Sequence, residues 1–101
     1  MGQHTLLKQK NIRNRRYLDW LKTQPCYMCG VIPCDPAHIR RFTDGGTGLK
    51  PSDCYALPLC RPHHQEQHAI GELSFYGGAD KVYKAIDHAL KKYEDYNANN
   101  N

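Results

Sequence analysis

The chain has 101 residues, five cysteines and a formal net charge of +4, a length that allows one domain whose apolar core alone is marginal and which a bound metal would help to hold together. Hydrophobic residues make up 40% and charged residues 24%, the balance of a soluble globular protein. No apolar run of about 18 residues exists, and Met1 to Lys10 lacks the apolar stretch of a signal peptide, so the composition argues against a membrane protein and points to the cytoplasm. Five cysteines, an odd number with metal-type spacing, also fit a reducing compartment better than a disulfide framework.

The charge is uneven. Residues 1–24 carry six Lys or Arg (Lys8, Lys10, Arg13, Arg15, Arg16, Lys22) against Asp19 alone, whereas residues 25–78 hold four basic and five acidic side chains and the remainder balances four against four. A polyanion is the natural partner of such an N-terminus, nucleic acid ahead of a membrane surface. Apolar periodicity predicts a helix over residues 3–23, with Leu6, Leu7, Tyr17, Leu18 and Leu21 on one arc. Lys8, Arg15 and Lys22, spaced by seven, share another side with Arg16 nearby, a stripe suited either to a phosphate backbone or to solvent. Trp20 reads as a packing residue.

Pro25 ends that helix and leads into Cys26-Tyr27-Met28-Cys29, with Gly30 permitting the turn. Val31-Ile32 and Pro36 to Ile39 read as short extended segments, in which Ala37 and His38 face opposite ways. Arg40 to Asp53 reads as a loop rich in turn formers, including Gly45-Gly46-Thr47-Gly48, which lacks the ending of a phosphate-binding loop. Tyr55 to Leu59 is expected as a second strand running into Cys60, and a helix from Pro62 to about Ile70 follows, with Pro62 in its first turn and Gly71 at its end. Leu73 to Tyr76 reads as an apolar link. The last helix is expected from Asp80 to Tyr96 on the repeat Val82, Ile86, Leu90, Tyr93, with His88 on its solvated side and residues 97–101 disordered.

Two ligand patterns are interleaved in this middle region. Cys26-x-x-Cys29 with Cys60-x-x-His63 has the donor set and spacing of a closed tetrahedral zinc site, because a two-residue gap lets one tight turn aim both side chains at one ion. His64-x-x-x-His68 places two imidazoles on one helix face about a turn apart, able to share a second ion. His63 and His64 are adjacent and point about 100° apart on a helix, so one can serve the zinc while the other serves a different site. Cys34 and Cys54 read as small buried or partly buried side chains, although Cys34 could enter the zinc site in a shifted register.

Taken together, Cys-x-x-Cys, Pro36-Ala37-His38-Ile39, the Gly-rich loop, and Leu57-Pro58-Leu59-Cys60-x-x-His63-His64-x-x-x-His68 resemble an HNH endonuclease of the zinc-stabilised His-Me finger type. The likeness is strongest to the small nucleases of phages and prophages, the phage Ref nuclease group among them. It covers about residues 24–78, including Gly71-Glu72 and Phe75. The resemblance implies an α+β fold: a small ββα-metal, treble-clef-like zinc core over residues 25–78, flanked by the basic helix of residues 1–24 and a C-terminal helix over 79–96. It also implies a metal-dependent DNA endonuclease. In that reading His38 is the general base, His64 and His68 bind a catalytic Mg²⁺, Mn²⁺, Ni²⁺ or Zn²⁺, Arg40 or Arg41 clamps the phosphate, and the product carries a 5′-phosphate. Lys8, Arg15, Arg16, Lys22 and Arg41 would meet DNA, duplex or single-stranded, with the protein a monomer or homodimer.

Two positions depart from the family's pattern. Ala37 stands where a metal-binding side chain is common, so either two histidines and waters suffice, or Asp35 reaches in, or His38 is itself a ligand. No Asn occurs between His38 and His64, and Asp53 is the residue the resemblance places nearest that bracing role. The competing reading is a non-catalytic treble-clef zinc module that binds nucleic acid or protein; it needs Cys26, Cys29, Cys60 and His63 but none of His38, His64 or His68. A redox protein built on Cys26-x-x-Cys29 lacks the βαβ context such a motif needs.

Overall fold

The computed structural model describes residues 12–40, 43 and 51–99. Within them two strands, β1 (Asp35–His38) and β2 (Ala56–Leu59), form an antiparallel pair between helices α1 (Arg15–Lys22), α2 (Arg61–Ile70), α3 (Glu72–Tyr76) and α4 (Ala79–Asn99). The fold is therefore α+β, with strand, loop, strand and helix in succession through the centre of the chain.

Pairing runs Asp35 to Leu59, Pro36 to Pro58, Ala37 to Leu57 and His38 to Ala56. Two prolines can face each other because directly opposed residues alternate between bonded and non-bonded pairs, and proline is tolerated only in the latter. The Pro58 carbonyl accordingly turns outward and accepts the Tyr27 amide at 2.8 Å, which fastens the Cys26–Cys29 turn to the edge of β2.

Side-chain alternation sends the two faces of this small sheet into different clusters. Ala37, Leu57 and Leu59 join Ile39, Phe75, Tyr76, Val82, Ala85, Ile86 and Ala89. Ala56, on the opposite face, meets Tyr17, Trp20 and Leu21 of α1, and Leu90 of α4 packs against both groups. The buried spacing Val82, Ala85, Ile86, Ala89 is the i, i+3, i+4, i+7 stripe of an amphipathic helix. Tyr17 ties α1 to the sheet by donating its hydroxyl to the buried Ala56 carbonyl at 3.1 Å.

Several boundaries differ from the sequence expectation. Of the helix expected over residues 3–23, the described part runs from Arg15 to Lys22 and leaves out residues 12–14: Asn14 caps it by accepting the Tyr17 amide at 3.1 Å. The preceding backbone is drawn into other bonds, Ile12 N–H to Ser52 Oγ at 3.0 Å and Asn14 N–H to Asp53 Oδ2 at 2.6 Å. Val31 and Ile32 form no strand but close the knuckle, where the Val31 carbonyl accepts the Cys26 amide at 2.9 Å. Tyr55 lies in a 3₁₀ turn, Asp53–Tyr55, ahead of β2. The apolar link at residues 73–76 is helical and stops at Gly77, whose φ of +94° only glycine adopts without strain. Residues 97–99, expected to be disordered, extend α4. The expected start of the first helix near residue 3, most of the Gly-rich loop and residues 100–101 lie outside the described residues. No helix among the described residues is long and apolar enough to cross a membrane.

Candidate metal centre and histidine-lined cavity

Cys26 and Cys29 come from the turn after α1, Cys60 from the end of β2 and His63 from the first turn of α2; their four donor atoms all lie within 4.8 Å of one another. Cys29 Sγ is 3.8 Å from Cys60 Sγ, and His63 Nδ1 is 3.6 Å from Cys26 Sγ and 3.2 Å from Cys60 Sγ. A tetrahedron with zinc–sulfur bonds of about 2.3 Å has a sulfur–sulfur edge of about 3.8 Å, which the Cys29–Cys60 spacing matches, so the cluster could hold a metal such as zinc. Burial raises the Cys26 pKa, but the amides of Cys60, Cys29 and Met28 directed at its sulfur outweigh burial and bring it to about 6, which favours the thiolate a metal needs. Cys34 lies outside the cluster. Its buried Sγ donates to the Val31 carbonyl at 3.3 Å, and burial beside the other thiols pushes its pKa to about 11. Cys54 is half-buried and likewise outside the cluster.

A second site opens beyond this centre. Pro36, His38, Arg40, Pro51, His64, His68 and Glu72 line one cavity of about 340 Å³. β1 supplies His38 and α2 supplies His64 and His68, whose ring centroids are 4.9 Å apart as the i, i+4 spacing requires. His38 Nε2 is 2.9 Å from Asp53 Oδ1. Asp53 is 2% exposed and also accepts the Asn14 amide at 2.6 Å and Arg13 Nη1 at 3.3 Å. Burial works against its charge, but His38, the Asn14 amide and Arg13 outweigh burial, so its pKa lies below the ordinary carboxylate value.

On α2, His64 Nδ1 is 3.1 Å from Asp35 Oδ2, and the same carboxylate accepts Arg61 Nε at 2.8 Å. The Arg61 bond and then His64 hold the Asp35 carboxyl below its ordinary range, against a partial burial that raises it. With Nδ1–H donated to Asp35, the His64 Nε2 lone pair is the one left for a metal.

The structure thus brings His38, Asp53, Arg40, His64 and His68 to one region and Cys26, Cys29, Cys60 and His63 to another. Among the described residues it does not join the expected basic stripe to either. Arg15 and Lys22 both turn to Asp19 Oδ1, at 3.2 and 3.5 Å, which neutralises part of that face. Arg16 lines a depression that Trp20 and Tyr96 also line. Lys8 and Arg41 lie outside the described residues. Arg40 is exposed at the cavity rim, and its backbone amide donates to Glu72 Oε2 at 2.7 Å.

Three contributors escape a reading of the sequence. Gln67, 2% exposed, donates to the His38 carbonyl at 3.4 Å and accepts the Tyr76 hydroxyl at 2.7 Å; its signal is a glutamine three residues after His64, on the inward arc of α2. Glu72 lines the cavity, and Arg13 reaches Asp53 from a distant part of the chain. Nothing local marks Arg13, and the resemblance takes in Glu72 without giving it a role.

Fold and donor set define a small α+β domain with a three-cysteine, one-histidine cluster able to hold a metal such as zinc. Residues 5–91 match the family described as Protein of unknown function (DUF968), and the chain belongs to that family. It is 39% identical over 88 residues to the Uncharacterized protein YdfU of Escherichia coli (strain K12), an alignment that covers 84% of this chain and 25% of YdfU. The chain thus spans a quarter of that relative's length. No solved structure matches it.

Proposed function

We propose that the protein is a metal-dependent DNA endonuclease of the HNH type, a His-Me finger built on a treble-clef-like zinc core. The observation that carries the reading is the convergence of His38, His64 and His68 on one cavity, with His38 tied to a buried carboxylate. Phosphodiester hydrolysis needs a base for the attacking water and stabilisation of charge on the phosphate. With Nε2–H donated to Asp53, His38 keeps the Nδ1 lone pair to take a proton from water, and the anionic Asp53 stabilises the imidazolium that results. Asp53 fills the bracing role of the missing Asn. Asp35 stands behind His64 as an orienting group, its carboxylate already shared between His64 and Arg61, so the Ala37 departure leaves His64 and His68 as the protein's ligands. A divalent cation bound there supplies Lewis-acid stabilisation of the phosphate and the leaving oxygen. Arg40, which lines the cavity, would meet a phosphate in this reading.

Incubation of the zinc-loaded protein with supercoiled plasmid and with single-stranded DNA, in Mg²⁺, Mn²⁺ or Ni²⁺, tests the reading. The wild type is expected to cleave and His38→Ala to lose about 10²- to 10⁴-fold in rate while retaining its zinc. No cleavage by folded wild type in any of the metals, or equal cleavage by the variant, overturns the nuclease and leaves a zinc module that binds nucleic acid or protein.

A further inference from the structure

Among the described residues, every group bonded to the buried Asp53 carboxylate apart from the His38 ring comes from the segment just ahead of α1. Ile12 N–H donates to Ser52 Oγ at 3.0 Å, the Asp53 amide donates to the Ile12 carbonyl at 3.0 Å, and Asn14 N–H donates to Asp53 Oδ2 at 2.6 Å. None of these bonds uses the Arg13 side chain, so residues 12–14 are strapped to residues 52–53 without it. The guanidinium adds something else. Its Nη1 donates to the Pro51 carbonyl at 2.6 Å and to Asp53 Oδ1 at 3.3 Å, the same oxygen that lies 2.9 Å from His38 Nε2.

A buried carboxylate is costly unless a cation stands beside it. Two candidates share its Oδ1, and they differ in kind. Arg13 is charged at every accessible pH, whereas His38 is charged only when both ring nitrogens hold a proton. Without Arg13 the imidazole becomes the carboxylate's counter-ion at rest, Nδ1 is occupied, and no lone pair remains for a proton from water. With Arg13 in place His38 stays neutral with its proton on Nε2, and takes up charge only as the water is deprotonated. The other charged or titratable groups around His38 are His64 and His68 of α2, Glu72 of α3 and Arg40 after β1. They line the same cavity without a described bond to the His38 ring.

We propose that Arg13 is a positioning residue of the histidine cavity: it supplies the permanent counter-charge of Asp53 and so leaves the His38 imidazole neutral, with Nδ1 open. For its use in catalysis the inference rests on the nuclease reading, which it deepens by adding a side chain from a segment remote in sequence to the proposed base. An Arg13 that merely braced the turn at Pro51 would have no bearing on the charge of the ring.

The zinc-loaded full chain, ¹⁵N-labelled in its histidines and with no added divalent cation, is compared by NMR at pH 7.5 with Arg13→Ala and Arg13→Lys. The His38 ring signals are those missing from His38→Ala, and their shifts report whether the ring holds one proton or two. One is expected in the wild type and in Arg13→Lys, which keeps the charge, and a much larger two-proton population in Arg13→Ala. On an Asp53→Asn background, where no anion needs a counter-charge, Arg13→Ala should change nothing. Arg13→Gln, uncharged but still a donor for the Pro51 carbonyl, takes the place of Arg13→Ala if that variant does not fold, and the same ring state is expected of it. In cleavage, Arg13→Ala should lower kcat about tenfold or more with KM nearly unchanged, short of the roughly 10²- to 10⁴-fold loss expected of His38→Ala, and Arg13→Lys should restore most of it. A doubly protonated ring in the wild type, a ring unaltered by loss of the Arg13 charge, or the same alteration on the Asp53→Asn background each overturns the proposal. The ring is read without DNA, so the two proposals fail separately: a wild type that never cleaves sinks the nuclease and leaves the ring result standing, and an unaltered ring beside normal cleavage sinks only the role of Arg13.

Discussion

His38 Nε2 and Asp53 Oδ1 lie 2.9 Å apart across fifteen residues of sequence, and that bond decides which imidazole nitrogen carries the proton. An aspartate can only accept, so Nε2 carries the proton and Nδ1 the lone pair. Asp53→Asn can present its amide N–H₂ to Nε2 and reverse the tautomer. DNA cleavage should then fall roughly 10²- to 10⁴-fold with zinc content unchanged. Asp53→Ala should also destabilise the fold by about 1–3 kcal/mol, because it orphans the Asn14 amide. Paired cleavage assays and urea melts of the two variants check this.

The same carboxylate makes the fold acid-sensitive. Its folded pKa is depressed, with burial opposing and His38, Asn14 and Arg13 prevailing, so the folded state binds fewer protons than the unfolded chain in the window between the two values. Its contribution to stability is complete above the unfolded carboxylate value of about 3.9 and is lost as the pH falls through the lower folded value. Asp35, depressed by Arg61 and His64 against partial burial, has the same sign. Urea midpoints from pH 6 to pH 2.5 should fall more steeply in the wild type than in an Asp35→Asn, Asp53→Asn double variant. Parallel curves would contradict the assignment.

How much of the site is legible in the amino-acid sequence depends on distance along the chain. Cys26, Cys29, Cys60 and His63 are readable because two-residue gaps dictate where each pair points, and the remaining join needs only β2 to end at Cys60. The adjacency of His63 and His64 likewise separates two sites by helix geometry alone. The bond from Asp53 to His38 is accessible only through resemblance. Arg13 is illegible because its partners, the Pro51 carbonyl and Asp53, are nearly forty residues away. Asn14 looks like one more polar residue in a long helix; only the pull of Ser52 and Asp53 on the preceding amides makes it a cap. Residues 72–76 span little more than one turn, too short for periodicity to separate a helix from a link.

Metal removal should act on the whole fold, since Cys26 and Cys60 belong to the same buried cluster as Leu57, Leu59 and Phe75. The purified protein is expected to carry one tightly held zinc per chain, and Cys60→Ser or a strong chelator should lower the melting temperature by well over about 10 °C, given how much of a small domain's stability a structural zinc provides. Elemental analysis with a thermal melt tests it. A chain that melts identically with and without chelator would show the cluster to be structurally idle.

Asp35 offers a way to separate the proposed catalytic metal site from the cysteine-rich cluster. Replacing it with Asn keeps the size but weakens the acceptor for the His64 Nδ1–H and for Arg61. Loss of such an orienting carboxylate costs about 10- to 100-fold in metal affinity. The Mn²⁺ concentration that gives half-maximal cleavage should rise by that factor while bound zinc stays at the wild-type level. A change in zinc content, or no change in Mn²⁺ dependence, would overturn the proposed orienting role of Asp35.

Tyr76 is not among the residues that line the histidine cavity. Its buried hydroxyl donates to Gln67 Oε1 at 2.7 Å, and Gln67 Nε2 in turn donates to the His38 carbonyl at 3.4 Å. Burial holds the Tyr76 phenol well above its ordinary pKa, so it stays a donor through the neutral range. Tyr76→Phe fills the same space and leaves the Gln67 oxygen unpaired in the core, at a cost of about 1–3 kcal/mol. Because the contact to His38 is the long member of the chain, stability should respond more than activity: a lower urea midpoint, with cleavage reduced less than about tenfold. A cleavage loss as large as that of His38→Ala, without loss of stability, would instead make Gln67 the residue that sets the position of the base.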